Sequence, residues 1–335
     1  MERYARQSVF SKIGKDGQKR LLDSRVTIIG MGALGTVSAN NLCRAGVGHI
    51  RLVDRDYVEL TNLQRQILFN ESDAEDNLPK VIAASNHLSK VNSEITLEPV
   101  VSDVNAGNIE NLIKGADLVL DATDNFEIRF LINEACIKHN IPWIYGAALG
   151  SQGMTLNITG DGPCLLCFMG DSGESPHTCS TFGVLNSSTG IIASIQSAEA
   201  IKILLKSDSV RKEMLVMDLW NNSFDTVPML KNENCPVCVY GKYTRLNSGI
   251  GSYTTSICGT NSIQVAPLHS KPVSADFTIL AEKLKKVGDV KYNVYTLTFA
   301  DSKYEFVLFK DGRAMIKNAI DENNAKSIYR EYIGL

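Results

Sequence analysis

The sequence of 335 residues lacks a long apolar run and lacks a strong excess of charge of either sign. No apolar stretch approaches the roughly 20 residues that a membrane-spanning helix needs. The N-terminal MERYARQSVF has no apolar region typical of a secretion signal. The 34 basic and 37 acidic residues give a net charge of −3, which argues against a nucleic-acid-binding surface. We therefore predict a cytoplasmic protein that binds neither nucleic acid nor membrane.

Two patterns that would assign a function directly are also missing. The sequence has no G-x-x-x-x-G-K-[ST] motif, which excludes the common phosphate-loop ATPases. Its five histidines show no spacing typical of metal ligands, and its eight cysteines do not follow the pattern of a secreted disulfide scaffold.

Four of the cysteines instead form two C-x-x-C pairs, Cys164 with Cys167 and Cys235 with Cys238. Each pair lies on a short turn, and four thiolates can hold one Zn²⁺ tetrahedrally. We predict a structural zinc site that ties two distant segments of the chain together. The alternatives are two unlinked pairs of packed thiols and a redox-active pair.

The apolar runs of the first half predict strands that alternate with helices. The strand candidates are 26–29, 49–54, 116–123 and 141–149. Helical patterns lie between them, so we predict an α/β fold with a mainly parallel, doubly wound sheet.

A second, smaller unit follows. We predict one domain over residues 1–242, a linker over 243–255 and a small α+β domain over 256–335. Within the small domain, YTLTF and YEFVLF are typical of a hairpin, and FTILAEKLKKV and AKSIYREYI have helical spacing.

Three glycines in the order G-x-G-x-x-G, Gly30, Gly32 and Gly35, follow the first strand and open a helix. This context lets the backbone approach a phosphate at a helix N-terminus. Asp54 ends the next strand, where a carboxylate can accept hydrogen bonds from a ribose. These features alone also fit an NAD-dependent oxidoreductase.

Further polar residues favour a different chemistry. The segment 61–66 (TNLQRQ) contains Arg65, Lys80 begins the next predicted helix, and Asp124 and Asn125 follow a later strand. Release of pyrophosphate from ATP builds up negative charge, which two cations and a carboxylate-bound Mg²⁺ can offset. Hydride transfer needs no such group, so we favour ATP over NAD.

The order of these motifs resembles the ThiF/MoeB/HesA family, the bacterial relatives of ubiquitin-activating enzymes. The shared segments are RYARQ, GMGALG, LVDRDYVELTNLQRQ, LPK, DATDN, both C-x-x-C pairs and SIQSAEAIKIL, over roughly residues 1–240. One departure is Asn77-Leu78, where relatives often have Gly-Gln before Pro-Lys.

The resemblance implies a Rossmann-like fold, a homodimer and a two-stage activity. The enzyme would bind Mg·ATP and the C-terminal Gly-Gly tail of a ubiquitin-like sulfur carrier, and join AMP to the tail carboxylate. A sulfur nucleophile would then attack the acyl-adenylate to give a thiocarboxylate for thiamine or molybdenum cofactor biosynthesis. We expect a separate sulfur donor, such as a cysteine desulfurase.

The resemblance also implies roles for particular residues. Asp54 would bind the ribose, and Asp124 would place Mg²⁺. Arg6 would reach the nucleotide of the partner subunit. The phosphates would be bound by Asn62, Arg65 and Lys80, with assistance from Gln66.

Cys179 lies in HTCSTFGVL, where the family can place a cysteine that links covalently to the carrier. A thiolate near a helix N-terminus would be activated, but a lone cysteine can equally be a packed core residue, and His177 is a weak candidate base. Four other residues are predicted to be core: Cys43, Cys136, Trp143 and Trp220.

Three other functions compete with carrier adenylation. They are adenylation of a peptide or an RNA by the same superfamily, NAD-dependent oxidation, and a scaffold without activity. No extra N-terminal domain precedes RYARQ to hold a peptide, and a scaffold would have no need of Arg65, Lys80 and Asp124. We therefore expect carrier adenylation.

Overall fold

A computed structural model of the chain describes residues 2–170, 183–248, 254–257, 262–266 and 275–334. Its first part is built around a large sheet that, within these residues, has eight strands in the order β3-β2-β1-β4-β5-β6-β7-β8. The strands are β1 (Arg25–Ile29), β2 (His49–Asp54), β3 (Thr96–Val101), β4 (Leu118–Asp121), β5 (Trp143–Leu149), β6 (Gln152–Ile158), β7 (Met214–Asp218) and β8 (Ser223–Val227).

Strands β1 to β5 pair in parallel, and β6 to β8 add an antiparallel edge. The prediction of a mainly parallel sheet is therefore confirmed. Strand β1 lies between β2 and β4, so the strand order changes direction there. In open α/β sheets, ligands bind in the crevice beyond the carboxyl ends of the strands at such a point.

The helices of this domain lie on both faces of the sheet. They are α1 (Ala5–Val9), α2 (Gly14–Asp23), α3 (Ala33–Ala45), α4 (Glu71–Glu75), α5 (Lys80–Val91), α6 (Ile109–Ile113), α7 (Phe126–Lys138), α8 (Leu165–Met169) and α9 (Asn186–Leu204). Two 3-10 turns, Glu2–Tyr4 and Leu60–Asn62, also lie in the described part of this domain. Within the described residues, every helix is too short or too polar to cross a membrane.

Alternation along the strands divides the core between the two faces. Ile28 contributes to a cluster with Leu42 of α3 and Val81 of α5, and the next residue, Ile29, contributes to a cluster with Phe130 of α7. Because successive side chains of a strand point to opposite faces, apolar runs without alternation are buried on both.

The C-terminal domain has a separate antiparallel sheet. In the described residues its strand order is β11-β12-β13-β14-β10-β9, from β9 (Thr254–Ile257), β10 (Ser262–Val265), β11 (Asp289–Tyr292), β12 (Thr296–Ala300), β13 (Glu305–Phe309) and β14 (Ala314–Lys317). Helices α10 (Phe277–Leu284) and α11 (Glu322–Tyr332) cover one face. The predicted hairpin is confirmed as β12 and β13, whereas the other four strands have no strong sequence signal.

The predicted linker begins in contact with the large domain. The backbone N–H groups of Arg245 and Leu246 both donate to Oε2 of Glu134 on α7, at 3.0 Å. The chain therefore stays against the large domain for several residues after position 242, and the domain boundaries remain a prediction.

One core prediction is wrong. Trp143 is fully buried as expected, but Trp220 is 77% exposed in the turn between β7 and β8. The carboxylate of Asp218 accepts the Trp220 N–H at 3.0 Å and fixes this turn at the edge of the sheet. Cys43 and Cys136 are buried, as predicted.

A buried ion pair fixes the turn after β4. Oδ2 of Asp121 lies 3.2 Å from Nε of Arg129 on α7, and Oδ1 accepts the Thr123 N–H and O–H groups at 2.9 and 2.7 Å. Burial raises the pKa of Asp121, and the charge of Arg129 offsets only part of that rise. The pair thereby holds the residues that follow in the DATDN motif.

We predict that Arg129→Met lowers the free energy of unfolding by about 3–5 kcal/mol at neutral pH, because it leaves a buried carboxylate unpaired. The loss should be full above the raised folded pKa of Asp121. It should shrink as the pH falls through that pKa, because the carboxyl group becomes neutral in the folded protein. Urea unfolding across pH measures this.

The matched control is the double variant Asp121→Asn, Arg129→Met, which should regain part of the stability at neutral pH because no buried charge remains. An equal loss in the single variant at every pH would contradict the explanation.

Candidate functional site

The glycine turn joins β1 to α3. A Cβ on Gly30 would lie 2.6 Å from the carbonyl oxygen of Ala122, and one on Gly35 would lie 1.9 Å from the Gly30 oxygen. A Cβ on Gly32, the N-cap of α3, would meet nothing within 4 Å. Gly30 and Gly35 therefore serve close packing, whereas Gly32 borders open space at a helix N-terminus, where a phosphate could approach.

Asp54 connects this turn to the segment after β2. Its Oδ2 accepts the Met31 N–H at 2.6 Å, and its Oδ1 accepts the Asp56 N–H at 2.7 Å. Burial raises the pKa of Asp54, although Lys80 opposes the rise. Asp54 lies beside the glycine turn, as the sequence predicted, and its contact with a ribose stays a prediction.

Lys80 is a buried cation at the first position of α5. Its Nζ lies 3.2 Å from Oδ2 of Asp56, and its backbone N–H donates to the Asp56 carbonyl oxygen at 2.9 Å. Burial lowers the pKa of Lys80, but the charges of Asp56 and Asp54 outweigh it and the net shift is upward. The charge of Asp124 also raises the pKa of Lys80, so the turn after β4 is close enough for the two charges to interact.

Asp56 is a residue that the sequence reasoning missed. The burial of Lys80 requires a partner charge, and the D-R-D pattern that begins at the last residue of β2 offered two acidic candidates. Only the register of the chain beyond β2 shows that the second acid, and not Asp54, pairs directly with the lysine.

The segment 59–66 is a compact turn with several of its polar groups engaged. Glu59 and Asn62 form a reciprocal cap, in which Asn62 Oδ1 accepts the Glu59 N–H at 3.2 Å. Nη1 of Arg65 donates to the Thr61 carbonyl oxygen at 3.0 Å. Gln66 is buried, and its Oε1 has no hydrogen-bond partner among the described residues. Asn62 thus fixes the shape of this turn, and its contact with a phosphate stays a prediction.

Asp124 and Asn125 differ in exposure and in role. Asp124 is exposed in the turn after β4, where a carboxylate is accessible to a cation. Oδ1 of Asn125 accepts the N–H groups of Glu127 and Ile128 at 2.8 and 3.3 Å and so caps α7. This cap fixes the conformation of the chain where it enters α7, and a ligand contact by Asn125 stays a prediction.

Arg6 lies away from the glycine turn of its own chain. It is exposed on α1, and its neighbour Gln7 donates to the carbonyl oxygen of Ala45 at 2.8 Å, at the C-terminal end of α3. Helix α3 has 13 residues and so spans about 20 Å. A contribution of Arg6 to the partner subunit's site stays a prediction.

The four paired cysteines come together, as the sequence predicted. The Sγ atoms of Cys164 and Cys235 are 3.6 Å apart, those of Cys167 and Cys238 are 3.5 Å apart, and all four lie within 4.8 Å of one another. Zinc–sulfur bonds of about 2.3 Å require a tetrahedron of roughly this size. The cluster can therefore hold a metal ion, and the alternative of two unlinked pairs is wrong.

Cys179 and His177 lie outside the described residues, so their predicted roles are not tested. Cys43 is a poor nucleophile, because burial raises the pKa of its thiol to about 11 and leaves it protonated at neutral pH.

Residues 4–237 match the sequence model of the ThiF family, which is more than half of the chain. The chain belongs to the ThiF family. The ThiF-family region includes the glycine turn, Asp54, Lys80, Asp124 and three of the four clustered cysteines, and it ends before the six-stranded C-terminal sheet.

Similar proteins agree with this membership. The chain is 40% identical to a sulfur carrier protein ThiS adenylyltransferase of Bacillus subtilis over 99% of both chains. It is 39% identical to a molybdopterin-synthase adenylyltransferase of Escherichia coli over 71% of this chain and 96% of that protein. A structure of E. coli MccB with ATP superposes with a TM-score of 0.62 over 70% of this chain and 74% of the other, at 24% identity, which shows a shared fold.

Gly32 and Gly35 should respond differently to the addition of a methyl group. We predict that Gly35→Ala lowers the free energy of unfolding by about 1–3 kcal/mol, because the new Cβ would overlap backbone atoms. Gly32→Ala should change it by less than about 1 kcal/mol but should weaken ATP binding, since the methyl would occupy the approach to α3. Chemical unfolding and calorimetric ATP titration measure the two effects, and the reverse order would contradict the assignment.

Proposed function

We propose that this ThiF-family chain is an adenylyltransferase that activates the C-terminal Gly-Gly carboxylate of a ubiquitin-like sulfur carrier with ATP. The observation that carries this proposal is the buried Lys80–Asp56 pair beside an open glycine turn, with Asp124 in electrostatic range. The names of the B. subtilis and E. coli relatives, which are adenylyltransferases acting in sulfur-carrier chemistry, support it.

The triphosphate would lie over Gly32 and the N-terminus of α3, with the ribose at Asp54. Lys80 keeps its charge at neutral pH because of its acidic neighbours, so its ammonium group needs no proton uptake to bind a phosphate. Arg65 would add the second cation, and Asn62 and Gln66 would supply amide groups. A Mg²⁺ ion held at Asp124 would neutralise charge on the phosphates, a task suited to an exposed carboxylate.

The reaction follows from this placement. A carboxylate oxygen of the carrier tail attacks the α-phosphorus, the bond to the bridging oxygen breaks, and pyrophosphate leaves with the electron pair. Negative charge grows on the leaving group, where Lys80 and Arg65 stabilise it. A sulfur nucleophile can then attack the carbonyl carbon of the adenylate and release AMP.

The full-length similarity favours a carrier of the ThiS type. The match to the B. subtilis ThiS adenylyltransferase covers 99% of this chain, whereas the match to the molybdopterin-synthase adenylyltransferase covers 71%. We place thiamine biosynthesis first and molybdenum cofactor biosynthesis second. The same proposal includes a homodimer in which Arg6 reaches the partner subunit's site, and a cysteine desulfurase as sulfur donor. It also includes a cytoplasmic location and a covalent role for Cys179.

We predict that wild-type protein catalyses ATP–pyrophosphate exchange only with a Gly-Gly carrier present. Arg65→Ala and Asp124→Ala should each reduce this exchange at least roughly tenfold, about 1.4 kcal/mol of transition-state stabilisation. Arg44→Ala, which removes an exposed arginine on α3, is the matched control and should stay near the wild-type rate.

A panel of purified carriers, with short peptides as competing substrates, identifies the substrate class in the same assay. Near-wild-type exchange in both the Arg65 and Asp124 variants, or exchange with peptides alone, would refute the assignment.

We further propose that the cysteine cluster holds one structural Zn²⁺. Its four sulfur donors fill a tetrahedral shell and leave no position for substrate. The ion would join α8 to the segment around residue 235, and α8 is already held to α7 because the Leu165 N–H donates to Asn133 Oδ1 at 2.9 Å.

We predict one zinc per chain by elemental analysis. Cys238→Ser should lose most of that zinc and lower the melting temperature, because structural metal binding contributes directly to folding. Cys136→Ala is the control, since this buried cysteine lies outside the cluster. It should lose stability yet retain zinc, and wild-type protein without zinc would disprove the site.

A further inference from the structure

The C-terminal sheet uses its second face to contact the large domain. Val307, Phe309 and Met315 are buried on the face opposite α10 and α11, where they cluster with Tyr57 and the partly buried Val101. The rings of Tyr57 and Phe309 are 6.4 Å apart. Tyr57 lies between Asp56 and the turn that contains Arg65, so the C-terminal domain rests on the segment that carries the nucleotide site.

Two hydrogen bonds extend this contact to the residues before Lys80. Asn293 Nδ2 donates to the Asp76 carbonyl oxygen at 2.7 Å, and Thr296 Oγ1 donates to the Asn77 carbonyl oxygen at 3.1 Å. Asn77 has a φ of 48°, in the left-handed region that asparagine tolerates better than most residues. Asn77-Leu78, where the sequence departs from the Gly-Gln of many relatives, therefore lies at the point where the C-terminal domain binds the backbone before Lys80.

A chain of polar contacts runs from the C-terminal sheet to Lys80. Gln264 of β10 is buried, and its Nε2 donates to Asp103 Oδ2 at 2.7 Å. Asp103 Oδ1 accepts from Arg55 Nη1 at 3.0 Å, and Arg55 Nε lies 3.7 Å from Asp56 Oδ1. The other oxygen of Asp56 holds Lys80 at 3.2 Å. Every step is an ion pair or a hydrogen bond between side chains.

A second contact reaches the turn that contains Asn62. Lys317 of β14 lies with its Nζ 2.8 Å from Glu305 and 3.5 Å from Glu59 Oε1. Glu59 also accepts from the Tyr57 hydroxyl at 3.3 Å and forms the reciprocal cap with Asn62. The charge of Lys317 thus acts on the residue that shapes the phosphate-binding turn.

We propose that the C-terminal domain positions the nucleotide site, with Gln264 and Lys317 as positioning residues that act through Asp56 and Glu59. The inference rests on the proposed adenylation. Residues 55–59 lie outside regular helix and strand, so the network that contacts them sets their geometry. Loss of these contacts should let the side chains of Lys80 and Asn62 move from their positions. A displacement of such groups by about 1 Å can slow a reaction by as much as 100-fold.

The test uses the full chain with Gln264→Leu and Lys317→Met. We expect the KM for ATP in carrier-dependent exchange, and the Kd for Mg·ATP by calorimetry, to rise about tenfold in Gln264→Leu and at least threefold in Lys317→Met. The KM for the carrier should stay within twofold of wild type. Lys317→Arg should restore the wild-type values, because it keeps the charge that faces Glu59.

Lys283→Met is the matched control, since Lys283 is exposed on α10. It should behave as wild type. The double variant Lys317→Met, Glu59→Gln should be no worse than Glu59→Gln alone, because the lysine acts through that carboxylate. This non-additivity separates positioning from a general loss of stability, which would add to the effect of Glu59→Gln.

The outcomes are separable. Unchanged ATP constants in both folded variants, or equal loss in Lys317→Arg and Lys317→Met, would overturn the positioning role. Absence of carrier-dependent exchange in wild-type protein would refute the proposed function instead, and the Mg·ATP Kd values would still decide whether the C-terminal domain orders the site.

Discussion

The burial of a lysine at the start of α5 is the constraint on which the site depends. An ammonium group with almost no contact with water persists only if acids surround it, and Asp56 and Asp54 meet that requirement from the end of β2. Asp54 in turn accepts a backbone N–H from the glycine turn. One electrostatic requirement therefore fixes the relative positions of β2, the glycine turn and α5.

Local patterns were sufficient to predict the frame of the molecule. Runs such as VTII are apolar and buried on both faces of the sheet, so strands β1, β2, β4 and β5 and the turn at Gly30 could be predicted from the sequence. Strand β3, which is also parallel, and the antiparallel strands β6 to β8 were not among the candidates. The meeting of the four paired cysteines could also be predicted, because two C-x-x-C pairs are a recognisable pattern in a sequence. The exposed Trp220 shows that residue type alone does not predict burial, because a turn at the edge of a sheet places no other element of the described chain against the aromatic side chain.

The partners of buried charges could not be predicted in the same way. Arg129 pairs with Asp121, and Arg55 with Asp103, through contacts that only the packed fold creates. Strands β9, β10, β11 and β14 are short and lack clear alternation, so their pairing depends on neighbours distant in the chain. Lys80 and Asp124 could be proposed as site residues from the sequence, and their roles stay predictions, whereas the pairing of Asp56 with Lys80 required knowledge of where the chain turns after β2.

The cysteine cluster has a consequence for the way in which this chain holds together. Cys164 and Cys235 are 71 positions apart, and α9, β7 and β8 all lie between them. A metal ion bound there would close a long loop, and closing a long loop lowers the conformational entropy of the unfolded chain. Helix α9 also packs against α3, the helix that begins at the glycine turn. Metal bound at this cluster would thus make the stability of the fold around the glycine turn depend on the metal supply of the cell.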